Sequence, residues 1–443
     1  MRNVTQPEKL DDSLSAELKR QGVPGASIAV VREGKLIRAQ GYGLANVEHQ
    51  IPAKAETIYQ SGSVGKQFTA ALVLRLVEDG KVKLDDPIGK YLPQVSRSWA
   101  NITVRHLLTH TSGLGDPYNK LDLRKDYTDN ALLKIEGSLP LLFKPGEKWS
   151  YSNMGYHVLG FLCNKVGGRF YGDQLRDKIF KPAGMETARI ISEADIIPNR
   201  AAGYERIKGE LKNQSWVSPA LNTTADGSLY LSVFDMVKWD LALTEGKILT
   251  PASRKAMWTP VTLNNGRSHP YGFGWALSPV NNHKCISHGG AWQGFRTGIY
   301  RFVEDKLTVI ALANASTANP DKLCRLIAGH YIPELAPVVA APIEDKEPEV
   351  TKLLSSVLTD GGKREDSKFT TEFLKLLPLS AYQEGANYLK SLGSLKMLVL
   401  LKRASEENTR RYVYRGSYEG ATLTISLVLT KNNKIAGLGI NPD

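Results

Sequence analysis

The sequence predicts an α+β protein. One antiparallel sheet is built from both ends of a long first domain, helices cover it, a helical subdomain is inserted between the strands, and a small second α+β domain follows. Three observations predict this. Strand-like segments open the chain and return from residue 284, with a helix-rich stretch of about 64–260 between them. A Pro-, Ala- and acid-rich segment at 336–350 reads as a linker. Beyond it, helical periodicity gives way to four strand-like runs.

Taken in order, Ala26–Val31 and residues 35–40 flank Arg32-Glu33-Gly34, a hairpin signal. Thr57–Gln60 is an extended approach, and Ser61-Gly62 is a turn before a helix read as starting at Ser63. Phe68, Ala71, Leu72, Leu76 and Val77 form its apolar stripe, and Gly80 is placed to end it. Turns such as Lys144-Pro145-Gly146 and Lys181-Pro182-Ala183-Gly184 break up the helices that follow. Lys284–His288, Phe295–Phe302 and Lys306–Ala313 read as a meander, with Val303-Glu304-Asp305 as its last turn and a helix from about Asp321 to His330 after it. In the second domain, helices over 352–392 precede strands at Leu395–Arg403, Arg410–Ser417, Ala421–Thr430 and Lys434–Ile440. The boundaries are therefore 1–335, a linker at 336–350, and 351–443. The last part carries no concentration of His, Cys or paired acids, and a spacer, lid or ligand-shaping role is expected of it.

A chain of 443 residues with 42% hydrophobic and 23% charged residues is globular and long enough for two domains. It has no run of about 18 apolar residues, so no membrane span is expected, and Met1 to Leu10 lacks the apolar core of a secretory leader. Cys163, Cys285 and Cys324 follow no metal or disulfide spacing, which suits a reducing compartment or indifference to oxidation. The net charge of +12 is scattered among acids without an aromatic-interleaved stripe, so nucleic acid is not expected as a partner.

Chemistry concentrates at three places. Ser63-Val64-Gly65-Lys66 is the only Ser-x-x-Lys in the chain, and helical spacing puts the Lys66 ammonium within reach of the Ser63 hydroxyl. A helix start also offers free N–H groups there. An ordinary core helix explains the apolar stripe but not a lysine buried beside the serine. Tyr151-Ser152-Asn153 sits at a loop-to-helix junction. Alone, it reads as a helix cap with a packed tyrosine. Beside Lys66, Tyr151 becomes a candidate base, since a neighbouring ammonium lowers a phenol from about 10. His288-Gly289-Gly290 is read as closing a strand, where glycines admit a close backbone approach. The N–H of Ala291 opposite that of Ser63 would form an oxyanion hole, and His288 would line the site as donor or proton relay.

In this order and spacing, the three motifs resemble the serine β-lactamase and penicillin-binding-protein superfamily. The branch it is most similar to holds class C β-lactamases, family VIII carboxylesterases, D-aminopeptidases and D-Ala-D-Ala carboxypeptidases. The resemblance runs from about Leu10 to Ile332. It includes Asp79–Ile88, Ile102–Leu114, Ser232–Trp239 and Tyr271–Trp275. It implies a β-lactamase/transpeptidase-like sheet and a ping-pong acyl-enzyme route without metal or organic cofactor. Ser63 would be the acylated nucleophile, Lys66 its base or proton partner, and Tyr151 the general base. Asn153 and Gly290 would bind substrate, and the Ser63 and Ala291 amides would hold the oxyanion. Which of Lys66 and Tyr151 takes the first proton stays open.

Two departures bear on the substrate. The third motif is His-Gly-Gly where most β-lactamases carry Lys-Thr-Gly, which removes a fixed cation for a β-lactam carboxylate. No glutamate loop of the class A kind is present either. The expected function is a serine acyl hydrolase for short esters or small D-amino-acid amides and peptides. A β-lactamase or DD-carboxypeptidase is the alternative, and a non-catalytic penicillin-binding receptor a further one. An α/β-hydrolase is the remaining enzyme alternative, against which stand Ser61 where its nucleophile elbow needs glycine and a helix-rich middle without alternating strand–helix units. The partner is then a small ester, amide or peptide, and oligomeric state is left open.

Overall fold

The computed structural model describes residues 6–116, 118–207, 209–337, 341–405 and 408–442. The chain forms two compact units, 1–337 and 338–443.

The first unit is organised by a six-stranded sheet. Its strands are β1 (Gly25–Arg32), β2 (Lys35–Asn46), β3 (Ile51–Pro52), β4 (Cys285–Trp292), β5 (Phe295–Phe302) and β6 (Leu307–Ala313). The order is β4-β5-β6-β1-β2-β3, all neighbours antiparallel. The sheet is thus drawn from both ends of the unit. Glu33 and Gly34 make the first hairpin turn with φ of 51° and 75°, the left-handed pair that a two-residue turn between twisted strands requires.

Period-two alternation sorts β1 between two cores. Ile28 and Val30 face helix α1 (Gln6–Gln21) and a later helix at Pro320–Tyr331. In α1, Leu10, Leu14 and Leu18 stack at i, i+4 spacing against that face. Burying each leucine contributes about 1.5–3 kcal/mol. Ala29 and Val31 face the larger core. It is built from α2 (Lys66–Glu78), α3 (Asn153–Gly167) and α4 (Val233–Glu245). The Pro320–Tyr331 helix, α5, is capped by the Asn319 side chain.

Two expectations about this unit change. The α-helix starts at Lys66 instead of Ser63, because Gly62–Gly65 winds as a 3₁₀ turn. A 3₁₀ turn eclipses residues i and i+3, so Ser63 still stands over Lys66. The expected stripe on α2 is also all-round burial, since every residue from Lys66 to Leu74 is buried. The helix ends at Asp79 and Gly80, the latter at φ 71°.

In the second unit, α6 (Pro348–Leu358), α7 (Thr371–Leu376) and α8 (Leu379–Ser391) precede strands β7 (Leu395–Ser405), β8 (Thr409–Tyr418), β9 (Thr422–Thr430) and β10 (Ile435–Pro442). These four pair as an antiparallel meander in chain order. The segment read as a linker is partly ordered. Pro348 sits at the start of α6, where its fixed φ suits a first helical turn. Glu347 before it is paired with Arg403, Arg410 and Tyr412, and the Ile343 N–H donates to the Leu400 carbonyl at 2.9 Å. Val338–Ala340, within the same predicted linker, lie outside the described residues.

Candidate active site

The Gly62–Gly65 turn is clamped between two backbones. Gly227 approaches from one side at φ 152°, and a Cβ there would lie 2.1 Å from the Gly62 carbonyl oxygen. Gly290 approaches from the other, where a Cβ would lie 2.1 Å from the Ser61 carbonyl oxygen. That oxygen accepts from the Thr297 hydroxyl at 2.6 Å. Both sites admit glycine alone, and the nucleophile turn is thereby fixed against the sheet.

Strand β4 differs from its expected form. It does not end at His288 but runs through the glycines to Trp292. Gly290 lies inside it because this is where the strand crosses the Ser61–Val64 backbone. Ala291 comes close as well, since a Cβ on Gly62 would fall 2.4 Å from its nitrogen.

The Lys66 amine organises the site. Its Nζ donates to Ser63 Oγ at 3.0 Å, Asn153 Oδ1 at 2.7 Å and the Asp226 carbonyl at 2.7 Å. Asn153 is the first residue of α3, whose N-cap is Ser152 and not Asn153, so the amide is free to point at Lys66. Its Nδ2 donates to Asp116 at 2.8 Å. Asn153 thus holds the lysine and an acid, and its predicted role toward substrate is shared with these partners.

The Lys66 Nζ lies 4.8 Å from the centre of the Tyr151 ring, a cation–π contact. The Tyr151 hydroxyl itself is buried and has no hydrogen-bond partner among the described residues. It makes no bond to Ser63 or Lys66, in contrast to its expected place as the base touching the serine. A cavity of about 200 Å³ is lined by Ser63, Tyr118, Asn153, Asp226, Ala291 and Trp292. His288 and Gly290 do not line it.

The third motif departs furthest from expectation. The Ser152 N–H donates to His110 Nδ1 at 3.1 Å, which leaves the proton of neutral His110 on Nε2. That nitrogen is 3.1 Å from the Tyr271 hydroxyl, which is 2.9 Å from His288 Nε2. His288 Nδ1 is 2.6 Å from the Gly289 carbonyl and must donate to it. The directions are therefore set: His110 to Tyr271, Tyr271 to His288, and His288 to Gly289. Both ring nitrogens of His288 are occupied, so it does not donate into the cavity as expected. It is the end of a buried chain. His110 is held at φ 58° and packs its ring 4.3 Å from that of Tyr151, so the chain fixes the phenol.

Burial, reinforced by the Lys66 charge, lowers His288 to about 4. Burial also lowers His110 well below its ordinary value, with Lys66 and His288 adding to it. The unfolded chain consequently binds more protons than the folded one between about pH 4 and the ordinary 6.5 of a histidine. Folding stability should then fall as the pH is lowered through that window, with His288 accounting for about 3 kcal/mol. Urea unfolding at pH 7 and pH 4.5 checks this. The wild type should lose more stability on acidification than His288→Gln, and equal losses would contradict it.

Behind Lys66 lies a group that the sequence reading did not assemble. His157 Nδ1 is 2.7 Å from Glu136, and its Nε2 makes an ion contact of 3.3 Å with Asp226. Asp226 Oδ2 accepts from the Tyr118 hydroxyl at 2.8 Å and Oδ1 from Thr224 at 2.6 Å. Desolvation opposes charge on His157, yet the Asp226 and Glu136 carboxylates outweigh it and raise the imidazole to about 10. His157 is therefore cationic. Asp226 is held well below the usual carboxylate range despite burial, chiefly by His157 and then by Lys66. The His157 cation and the two acids so form one buried cluster directly behind the lysine, whose amine bonds the Asp226 carbonyl.

A description of the Beta-lactamase family matches residues 10–328. The chain belongs to that family of serine hydrolases. It is 31% identical to Penicillin-binding protein 4* of Bacillus subtilis over 328 residues, 69% of this chain and 71% of the relative. It is 29% identical to a D-aminopeptidase of Gluconobacter oxydans, over 74% of this chain and 63% of that one, so it spans under two thirds of that relative. Among solved structures, the D-amino acid amidase of Ochrobactrum anthropi in complex with L-phenylalanine amide has 25% identity and a TM-score of 0.61. That match covers 69% of this chain and 91% of that one. An octameric penicillin-binding protein homologue from Pyrococcus abyssi shares the fold over 99% of both chains, with a TM-score of 0.68 and 23% identity. Within this family fold, Lys66 contacts Ser63 and Asn153, and the Ala291 backbone lies against the Gly62–Gly65 turn. Among the described residues no helix is long and apolar enough to cross a membrane.

Proposed function

We propose that Ser63 is the acylated nucleophile of a hydrolase for small D-amino-acid amides and peptides, with short acyl esters as further substrates. The observation that carries this reading is the 3.0 Å contact between Lys66 Nζ and Ser63 Oγ. The amine's other two partners are carbonyl oxygens, which can only accept. A Lys66 that has given up one proton keeps both of those bonds and turns its lone pair to the serine hydroxyl. Lys66 then takes the Ser63 proton as Oγ bonds to the acyl carbon. The Ser63 and Ala291 amides receive the developing oxyanion. The proton that Lys66 took then passes to the departing amine or alcohol, with the unengaged Tyr151 hydroxyl giving its own proton and receiving that of Lys66, so that the leaving group departs neutral and Lys66 is again the free base. Water then releases the acid and restores Ser63.

The names of the relatives support amides of D-amino acids. The neutral His288 supports them too, because it offers no cation to a β-lactam carboxylate where a lysine would. The test is a panel of D-alanine amide, D-phenylalanine amide, p-nitrophenyl butyrate and nitrocefin on one preparation. D-amides and the ester should turn over, nitrocefin poorly, and Ser63→Ala should lose every activity. Turnover of nitrocefin alone would move the assignment to a β-lactamase, and an inert wild type would end it.

A further inference from the structure

The cavity beside Ser63 has a volume of about 200 Å³, below the roughly 300–1,000 Å³ of most small-molecule sites. A pair of rings keeps it small. Gly62, Ser63, Gly227, Ser228 and Ala291 bring small side chains or none to its lining, because the nucleophile turn is packed there against two other backbones. Asn153 and Asp226 are tied to Lys66 and His157. Among the described residues the remaining walls are Tyr118 and Trp292, whose ring centres lie 6.0 Å apart with their planes at 39°.

Each ring is held at its polar tip. The Tyr118 hydroxyl donates to Asp226 Oδ2 at 2.8 Å. The indole N–H of Trp292 donates to Asn222 Oδ1 at 2.7 Å. Asn222 is itself buried, its Nδ2 donates to the Val217 carbonyl at 3.3 Å, and it does not line the cavity. Trp292 also packs against Ile58, Ile191, Ile197 and Tyr230. It is the last residue of β4 and follows Ala291 directly, so the indole stands next to the amide assigned to the oxyanion. A ring fixed by both packing and a hydrogen bond is a stiff wall, and such a wall sorts substrates by size.

The cavity also separates the two halves of a substrate. Tyr151 does not line it, and in the proposed route the Tyr151 hydroxyl gives its proton to the leaving group. The leaving group therefore belongs on the Tyr151 side, and the acyl part, which stays on Ser63, has the cavity. Taking Ser63 as the acylated nucleophile of the hydrolase proposed above, we infer that Trp292 limits the size of the acyl side chain and that Asn222 is the residue that positions Trp292.

The test compares kcat/KM within pairs of substrates. D-alanine amide against D-phenylalanine amide varies the acyl side chain, and D-alanine amide against D-alanine p-nitroanilide varies the leaving group. The wild type should prefer D-alanine amide to D-phenylalanine amide by at least about tenfold. Trp292→Ala should shift that ratio at least about tenfold toward D-phenylalanine amide and leave the leaving-group ratio as it is in the wild type. Asn222→Leu removes the acceptor from outside the cavity. It should shift the acyl ratio the same way by about two- to tenfold, the worth of one hydrogen bond. A general loss of structure lowers both members of a pair and leaves the ratio alone. Trp292 is only partly buried, so its variant carries the test by itself if Asn222→Leu does not fold. p-Nitrophenyl acetate against p-nitrophenyl 3-phenylpropionate repeats the acyl comparison on esters, which keeps the size limit measurable even where D-amides are not turned over and that substrate assignment fails. Equal turnover of the small and large acyl groups by the wild type would overturn the inference and leave the hydrolase in place. So would a Trp292→Ala variant that keeps the wild-type acyl ratio or changes only the leaving-group ratio. A folded Asn222→Leu variant with the wild-type ratio would remove Asn222 from its positioning role. A wild type inert toward every one of these substrates would overturn the size limit and the hydrolase together.

Discussion

Lys66→Met is expected to slow acylation of Ser63 by about 10³-fold, within the 10²–10⁴ range of a positioned proton-transfer group. The measurement is the rate at which a fluorophosphonate adds to the protein, followed by intact mass. Methionine keeps the length and burial of the side chain and removes the amine, so the serine persists without the group 3.0 Å from its Oγ. Tyr151→Phe separates the two candidate bases. Its hydroxyl touches neither Ser63 nor Lys66, so this variant should form the adduct far faster than Lys66→Met while turning over amides slowly. Adduct formation by Lys66→Met at the wild-type rate would remove the lysine from the proton path. The opposite ranking of the two variants would give that place to the phenol.

Asp226→Asn is expected to destabilise the first unit by about 3–5 kcal/mol, the usual consequence of deleting one partner from a buried ion pair. The change is isosteric and its bond from Tyr118 can survive, so the loss reports charge more than shape. It leaves the buried His157 cation with Glu136 as its one remaining acid partner. Equilibrium urea unfolding measures the loss. A double variant, Asp226→Asn with His157→Gln, should recover part of it, since it removes one charge of each sign. A single variant as stable as the wild type would show that the cluster does not carry charge.

Much of the fold and part of the site were legible in the sequence because their signals are local. The hairpin at Glu33-Gly34 and the meander of the second unit follow from turn residues between alternating strands. The Ser63–Lys66 pair follows from a spacing of three, which survives even though the turn is 3₁₀ and not α-helical. The extent of β4 was not legible, because two glycines in a row read as a stop when only the packing partner shows why Gly290 lies inside a strand. The Glu136–His157–Asp226 cluster was invisible for a related reason. Its members come from three separate segments, and His157 sits among Tyr156, Val158 and Leu159 with nothing local to distinguish it from a core histidine. His110 was in view as part of a recognised stretch. Its hydrogen bonds to Ser152 and Tyr271 join residues 42 and 161 positions away, which spacing does not report.

The bond from Thr297 to Ser61 spans 236 residues, which has a consequence for how the protein comes into being. During synthesis the segment bearing Ser63 leaves the ribosome roughly 10–50 s before the strand that must close over it, at about 5–20 residues per second. Throughout that interval the nascent polypeptide can hold only the hairpin half of its sheet, and the serine has neither the Gly290 crossing nor a neighbouring Ala291. Chemistry therefore cannot appear before these late strands have emerged, and the slow joining of the two ends of the first unit sets when it does.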